Sequence, residues 1–302
     1  MIVAILGAGA LGAAYASKFY AADPNCISFI ASGERAARLK AEGVIVNSQQ
    51  YAIPITTPDD AGDTPPADLI LVALKHQHLA GAIPDLAHRV GENTLILSVM
   101  NGLDSEPMLA EVYGWDKVVY AVAVGIDALR TGNAVTFTHT GTIFVGDADN
   151  THLSARIKCV QTLLDRAQIP WQTPADMIRN MWWKFMINVG INQASAVLRA
   201  PYGVFQTSEH AQAIMETAMR EVIAVAQAEQ VNLGEEDITN WYTVLNTLHP
   251  EGKTSMLQDI EARRTTEVDI FAGKMLALGA QHNIPTPVNE TLLHAIKVFE
   301  QG

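Results

Sequence analysis

The sequence predicts an α/β protein in which a doubly wound parallel sheet is followed by an all-helical domain. Short aliphatic runs alternate with helix-length segments through the first half of the chain, a glycine-rich turn joins the first run to the first helix, and strand-like runs vanish after Pro170 and Pro174. Alternation of this kind is what parallel neighbours require, because a crossover helix must return the chain to the same edge. The 302 residues exceed the usual size of one domain, and 49% are hydrophobic, enough to fill two cores.

Taken in order, Ile2–Leu6, Ile27–Ile30, Leu69–Ala73, Thr94–Ser98 and Val118–Val124 read as strands of a sheet covered by helices on both faces. Ala10–Ala21, Glu34–Glu42 and Gln77–Ala87 read as helices between them. Val135–His139 and Ile143–Val145 flank Thr140-Gly141 and read as a hairpin ending this domain. The division is expected after residue 174, giving domains 1–174 and 175–302. In the second, Met177–Leu198, Ser208–Glu229, Glu235–Leu248, Ser255–Gln281 and Val288–Glu300 read as helices, punctuated by Pro201-Tyr202-Gly203, Pro250-Glu251-Gly252 and Pro285-Thr286-Pro287.

The formal charge of −12 argues against nucleic acid or an anionic membrane as partner, since both need a basic face. A small anionic ligand stays open, because a local lysine outweighs a distant net charge. Cys26 and Cys159 have no metal or redox spacing and read as reduced thiols of a cytoplasmic protein. Ile2–Ala16 is apolar and Ala14-Tyr15-Ala16 mimics a leader cleavage site, yet no Lys or Arg precedes it, so no secretory leader is expected. No other run approaches the roughly 20 apolar residues of a membrane span. Monomer and homodimer are both compatible with the sequence, Trp241-Tyr242 offering apolar anchors for the latter.

Gly7-Ala8-Gly9-Ala10-Leu11-Gly12 fits G-x-G-x-x-G directly after a strand and directly before a helix. The glycines allow a tight turn, close approach of backbone to a pyrophosphate, and contact of helix with strand. The helix N-terminus adds free N–H groups and a positive dipole end. The first domain is therefore expected to be Rossmann-type, with these six residues lining a dinucleotide. At the end of the second strand, Phe29-Ile30-Ala31-Ser32-Gly33-Glu34-Arg35 has no acid at the tip to accept ribose hydroxyls. Ser32 and Arg35 read as holding a 2′-phosphate, which favours NADP over NAD, although Glu34 stands close by.

Met181 to Asn192 is apolar nearly all round, with Lys184, Asn188 and Asn192 at i, i+4 and i+8. On an α-helix these form one stripe drifting by about 80°. The structural reading is a snorkelling lysine with two amides tying down loops. The functional one is an ammonium that protonates a developing alkoxide, with amides orienting a hydroxylated substrate. Further on, Ser255-Met256-Leu257-Gln258-Asp259 precedes Glu267 across a charged run that alone would be an exposed helix face. His76 and His78 would point apart on a helix, so no metal site is expected.

With these motifs the chain resembles, along its whole length, the 2-dehydropantoate 2-reductases, or ketopantoate reductases. The matching features are Gly7 to Gly12, Leu74-Lys75, Asn101-Gly102, Lys184-x3-Asn188-x3-Asn192, Ser255 to Asp259 with Glu267, and Pro285-Thr286-Pro287-Val288-Asn289. The resemblance implies that Lys184 is the general acid and that Glu267 fixes its ammonium. It implies that Asn101 and Ser255 contact the substrate carboxylate, that Asn188 and Asn192 reach its hydroxyl, and that Lys75 and Asn101 border the cofactor. Many relatives carry an arginine where Ser32 stands. The reaction implied is NADPH-dependent reduction of ketopantoate to D-pantoate, in pantothenate and coenzyme A biosynthesis. The alternative within the family is a D-2-hydroxy acid dehydrogenase acting on other branched or aromatic 2-oxo acids. A non-catalytic dinucleotide sensor has no use for the lysine, and no second motif points to a flavin.

Overall fold

The first strand, β1 (Val3–Leu6), has no polar side chain, and all four of its residues are buried. It is followed by β2 (Ile27–Ile30), β3 (Val44–Val46), β4 (Gln49–Tyr51), β5 (Ile55–Thr56), β6 (Leu69–Val72) and β7 (Leu95–Ser98). Then come β8 (Val118–Ile126), β9 (Leu129–Thr131), β10 (Ala134–Thr136), β11 (Thr140–Gly146) and β12 (Trp171–Gln172). Residues 1–60 and 62–301 are described by this computed structural model.

Among the described residues the main sheet has the order β12-β11-β8-β7-β6-β1-β2-β5. Pairing is parallel from β5 to β8; β11 runs antiparallel to β8, and β12 parallel to β11. Successive side chains of β1 serve opposite faces. Val3 and Ile5 pack with Tyr15 and Phe19 of α1 (Ala10–Ala22), Ala36 and Leu39 of α2 (Gly33–Glu42), and Ile157 and Leu164 of α5 (Ala155–Arg166). Ala4 and Leu6 pack on the other face with Leu79 of α3 (Leu79–Ala82) and Leu109 of α4 (Ser105–Tyr113). Helices cover both faces, as the sequence predicts.

Two expectations for this unit are corrected. The segment Gln77–Ala87 is not one helix: 3-10 turns at His76–His78 and Ile83–Arg89 flank the single turn of α3. Pro84 lacks an N–H and crowds the preceding turn, so an α-helix cannot continue through it. The hairpin around Thr140-Gly141 does not form either. The hairpin is β9–β10, turning at Gly132-Asn133, and it joins β3 and β4 in a second sheet that packs on α1. β11 instead returns to the main sheet, because the Asp127 carboxylate accepts the N–H groups of Thr138 (2.9 Å) and His139 (2.8 Å) and turns the chain between the sheets.

By its contacts the chain separates into two compact units, Met1–Met177 and Ile178–Gly302, three residues beyond the expected division. The second is helical: α6 (Met177–Ile187), α7 (Gln193–Leu198), α8 (Tyr202–Thr207), α9 (Glu209–Ala228), α10 (Glu235–Leu245), α11 (Ser255–Glu261), α12 (Lys274–His282) and α13 (Pro287–Gln301). Its core is built on α9, whose Met215, Ala218, Met219, Val222, Val225 and Ala226 are fully buried. The expected helix Ser255–Gln281 is broken after Glu261. Arg263 takes a left-handed conformation (φ 53°), and the Thr266 N–H (2.8 Å) and hydroxyl (2.7 Å) both donate to Glu300 of α13. A tertiary tie thus overrides the local helical pattern, and Glu267 leaves the helix that carries Ser255. Among the described residues no helix is long and apolar enough to cross a membrane.

Candidate active site

The three glycines of the fingerprint have different duties. Gly7 has φ +108°, and a side chain there would strike the Ala73 carbonyl and Leu74. A Cβ at Gly12 would overlap the Gly7 carbonyl, so Gly12 is what lets α1 close onto the loop. A Cβ at Gly9 would meet only the Ala73 oxygen, at 3.8 Å. No protein atom nearer than that requires Gly9 to be bare, and its open side leaves room for a ligand. Gly9 caps α1 without a side-chain bond, and no acidic residue lies in the first turn. The N–H groups of Ala10, Leu11 and Gly12 therefore lack intrahelical acceptors. This cradle fits the pyrophosphate of a dinucleotide.

At the end of β2, Ser32 donates its hydroxyl to Asp85 Oδ2 at 2.6 Å, which brings a carboxylate 53 residues away beside the strand tip. Arg35 is half-buried on the first turn of α2. Arg130 of β9 donates from Nη1 to the Ala8 carbonyl inside the fingerprint (2.7 Å) and from Nε to Gly132 O (2.8 Å). Sequence reasoning missed Asp85 and Arg130, since neither lies near the motif it joins.

Lys75 follows β6 and Asn101 follows β7, both half-buried. These are carboxyl ends of parallel strands, the edge from which the glycine loop also leaves β1 and where open α/β sheets bind ligands. The Asn101 turn is anchored from beneath: Ser98 Oγ accepts the Met100 N–H (3.3 Å) and donates to Ser105 Oγ (2.8 Å), which donates to Glu106 Oε2 (2.8 Å). Glu106 is 1% exposed, and burial lifts its carboxyl to about 7, outweighing the Ser105 hydrogen bond.

In the second unit, Lys184 lies in the last turn of α6. Its side chain is half-buried by area, but burial of the ammonium pulls its pKa down to about 8. Its sequence neighbours Trp182 and Phe185 meet edge to face at 5.8 Å, and Phe185 lies 6.3 Å from Phe271. Directly after α6 the helix widens into a π turn, Asn188–Asn192. Asn188 and Asn192 are 3% and 7% exposed, and Asn192 Nδ2 donates to Asn188 Oδ1 at 3.4 Å. Gly190 lets this turn pack closely on α9, because a Cβ there would come within 2.6 Å of Met219.

A second π turn, Asp269–Gly273, packs on the first. Gln193, fully buried, joins them: its Nε2 donates to Val189 O (2.7 Å) and Asn289 Oδ1 (3.0 Å), and its Oε1 accepts the Ala272 N–H (3.1 Å). Asn289 is in turn held by Glu221, which accepts from its Nδ2 at 2.7 Å. Ser255 is exposed at the first position of α11, whose start Thr254 caps by accepting the Leu257 N–H at 3.2 Å. Glu267 is half-buried in the bend before the second π turn. The elements carrying Asn188, Asn192 and Ser255 thus pack on one another, α11 on the first π turn and α7, and the second π turn, which begins two residues after Glu267, packs on the first. Among the described residues no three His, Cys, Asp or Glu gather as a metal site.

The family profile described as Ketopantoate reductase PanE/ApbA matches residues 3–150, and its C-terminal counterpart matches residues 176–300. The chain belongs to the ketopantoate reductase family. Membership makes it an NAD(P)-dependent oxidoreductase. A 2-dehydropantoate 2-reductase of Vibrio cholerae is 27% identical over 303 residues, spanning 100% of this chain and 99% of the relative. The structure of a PanE/ApbA family ketopantoate reductase from Ralstonia eutropha is 25% identical, with a TM-score of 0.83 over 100% of this chain and 99% of that one. The structure of D-mandelate dehydrogenase with NADH and anilino(oxo)acetate gives a TM-score of 0.88 at 20% identity, over 100% of this chain and 99% of that one, a likeness of fold.

Proposed function

We propose that this member of the ketopantoate reductase family reduces 2-dehydropantoate to D-pantoate with NADPH. The observation that carries the reading is a desolvated ammonium, Lys184, heading a π turn that aligns two buried amides. The nicotinamide, when bound, supplies a hydride to the ketone carbon. The oxygen left behind gains a proton from Lys184 Nζ, which at about 8 is a stronger acid than an exposed lysine and yet protonated at neutral pH. Glu267 orients that ammonium. Asn101 and Ser255 offer neutral hydrogen bonds to the carboxylate, Asn188 and Asn192 receive the hydroxyl, and Lys75 borders cofactor and substrate.

A second reading has one observation in its favour. The Asp85 carboxylate beside Ser32 stands where NAD enzymes place their ribose acceptor. On that reading the protein is an NADH-dependent D-2-hydroxy acid dehydrogenase for branched or aromatic 2-oxo acids. Purified protein assayed with ketopantoate, 2-oxoisovalerate and phenylglyoxylate, each with NADPH and NADH, separates the two. The highest kcat/KM is expected for ketopantoate with NADPH; a clear preference for phenylglyoxylate with NADH overturns the proposal in favour of the second reading.

A further inference from the structure

In the helical unit a cavity of about 350 Å³ opens where α7 and α11 end against the last turn of α13. Its lining is Arg199, Ile260, Glu261, Arg263, Val298 and Phe299, none of which belongs to the candidate active site. The volume is within the range of pockets that hold small ligands. Arg199 ends α7 and Arg263 follows α11, both with left-handed backbone, φ 50° and 53°.

The acids around this cavity are already engaged. Glu261 is held by Lys253, whose Nζ donates to Oε1 at 2.7 Å and to Oε2 at 2.9 Å. Asp259 accepts from Arg264 Nε at 2.7 Å, and Glu300 accepts from the Thr266 hydroxyl at 2.7 Å and from Lys297 at 3.1 Å. Among the described residues, the guanidinium groups of Arg199 and Arg263 have neither a hydrogen bond nor a carboxylate partner. Arg199 instead lies over the Phe299 ring, 5.3 Å from its centroid. Stacking of this kind fixes a guanidinium while all five of its N–H donors stay unspent. The cavity therefore pairs two positive charges, one of them held in place, with an apolar wall of Phe299, Ile260 and Val298.

We infer that this cavity binds a small phosphate monoester with an aromatic or aliphatic body, the phosphate on Arg199 and Arg263 and the body against Phe299. Two guanidiniums balance a charge of about −2, which a phosphate monoester carries and a carboxylate does not. Two arginines in a chain of net charge −12 are too few to hold a polyanion, so the ligand is a small molecule. The site stands on its own residues and does not depend on the reaction proposed above. It lies at the far end of the helix whose first residue is Ser255.

The test is calorimetric titration of the intact protein with phenyl phosphate, inorganic phosphate and benzoate, repeated for Arg199→Asn and Arg263→Asn. Asparagine tolerates left-handed backbone, so both variants keep the helix ends. Phenyl phosphate should bind the parent protein at least about threefold more tightly than the other two probes, since one lacks the ring and the other the second charge. Each variant should weaken phenyl phosphate by about ten- to a hundredfold, the range of one charged hydrogen bond. Thermal unfolding checks the fold of each, and either variant decides the matter if the other does not fold. No binding of phenyl phosphate by the parent protein up to roughly 10 mM overturns the proposal. Binding that a folded variant leaves unchanged also overturns it, because the phosphate then sits elsewhere, the glycine loop included. Phenyl phosphate bound no more tightly than benzoate or inorganic phosphate overturns the ligand class.

Discussion

Asn192 donates to Asn188 through their side-chain amides at 3.4 Å, within the π turn Asn188–Asn192 that follows α6. In an α-helix a polar stripe at i, i+4 and i+8 drifts steadily around the axis. A π turn advances less per residue, so the two amides come closer to alignment with each other, and π turns recur at functional sites. The widening frees the Val189 carbonyl, and the buried Gln193 amide takes it at 2.7 Å. Gln193→Ala leaves that carbonyl, the Ala272 N–H and Asn289 without their shared partner. Each orphaned buried group costs about 1–3 kcal/mol. The variant should lose several kcal/mol in urea unfolding, and Gln193→Glu should recover little of it.

Lys184→Ala should lower kcat by about 10²–10⁴-fold, the usual worth of a positioned general acid, while the Kd for NADPH survives. The pH dependence has a definite sign. Reduction needs the ammonium, so with a pKa of about 8 activity should be present below that pH and fall as pH rises through it. In Lys184→Ala this alkaline limb should disappear. Stopped-flow single turnovers from pH 6 to 10 read both effects, and a folded variant with near-normal turnover removes Lys184 from the mechanism.

Much of this was legible in the sequence for a physical reason. The strand Val3–Leu6, its glycine turn and the first helix are local, and the spacing Lys184-Asn188-Asn192 survives any helical geometry. Contacts between distant segments were not legible. Asp85 meets Ser32 across 53 residues and Arg130 meets Ala8 across 122, and neither end carries a pattern naming the other. The break after Glu261 was hidden in the same way, because its cause is a bond from Thr266 to Glu300. The π turns were invisible too: Gln193, which ties the first to the second through Val189 O and the Ala272 N–H, carries no pattern that names those partners.

The glycines separate folding from binding. Gly12→Ala pushes a methyl into the Gly7 carbonyl and should cost about 3 kcal/mol or more in thermal unfolding. Gly9→Ala meets only an ordinary contact at 3.8 Å and should stay within about 1 kcal/mol of the parent. Its methyl stands where the pyrophosphate must approach, so the Kd for dinucleotide should rise at least about tenfold. Normal binding by Gly9→Ala places the phosphates elsewhere.

Glu106 makes stability depend on pH. Its carboxyl rises from 4.5 to about 7 on folding, because burial penalises the charge. A raised carboxyl means that the folded state holds the proton more tightly. Its contribution is therefore complete below pH 4.5 and lost as pH rises through about 7, amounting to about 3 kcal/mol. Glu106→Gln should flatten this part of the urea-midpoint profile between pH 5 and 8. An unchanged slope in the variant assigns the dependence to other groups.

The substrate itself gives the most discriminating prediction. Ketopantoate differs from 2-oxoisovalerate by a terminal hydroxymethyl group, so the two share a carboxylate, a ketone and a branch. A site built to hydrogen-bond a hydroxyl rejects an analogue lacking it by up to about 10⁴–10⁵, because its own polar groups are left unpaired. Asn188 and Asn192 are almost wholly buried, and the 3.4 Å bond to Asn188 uses one of the two amide N–H groups of Asn192. Ketopantoate should therefore exceed 2-oxoisovalerate in kcat/KM by several orders of magnitude. Asn192→Ala should narrow the gap by slowing ketopantoate about a hundredfold while changing 2-oxoisovalerate little, since one lost polar contact is worth about 1–3 kcal/mol. If Asn192→Ala slows both substrates alike, Asn192 shapes the turn and does not read the hydroxyl. If 2-oxoisovalerate or phenylglyoxylate is already the better substrate of the parent protein, the amides face a different group and the dehydrogenase reading takes over.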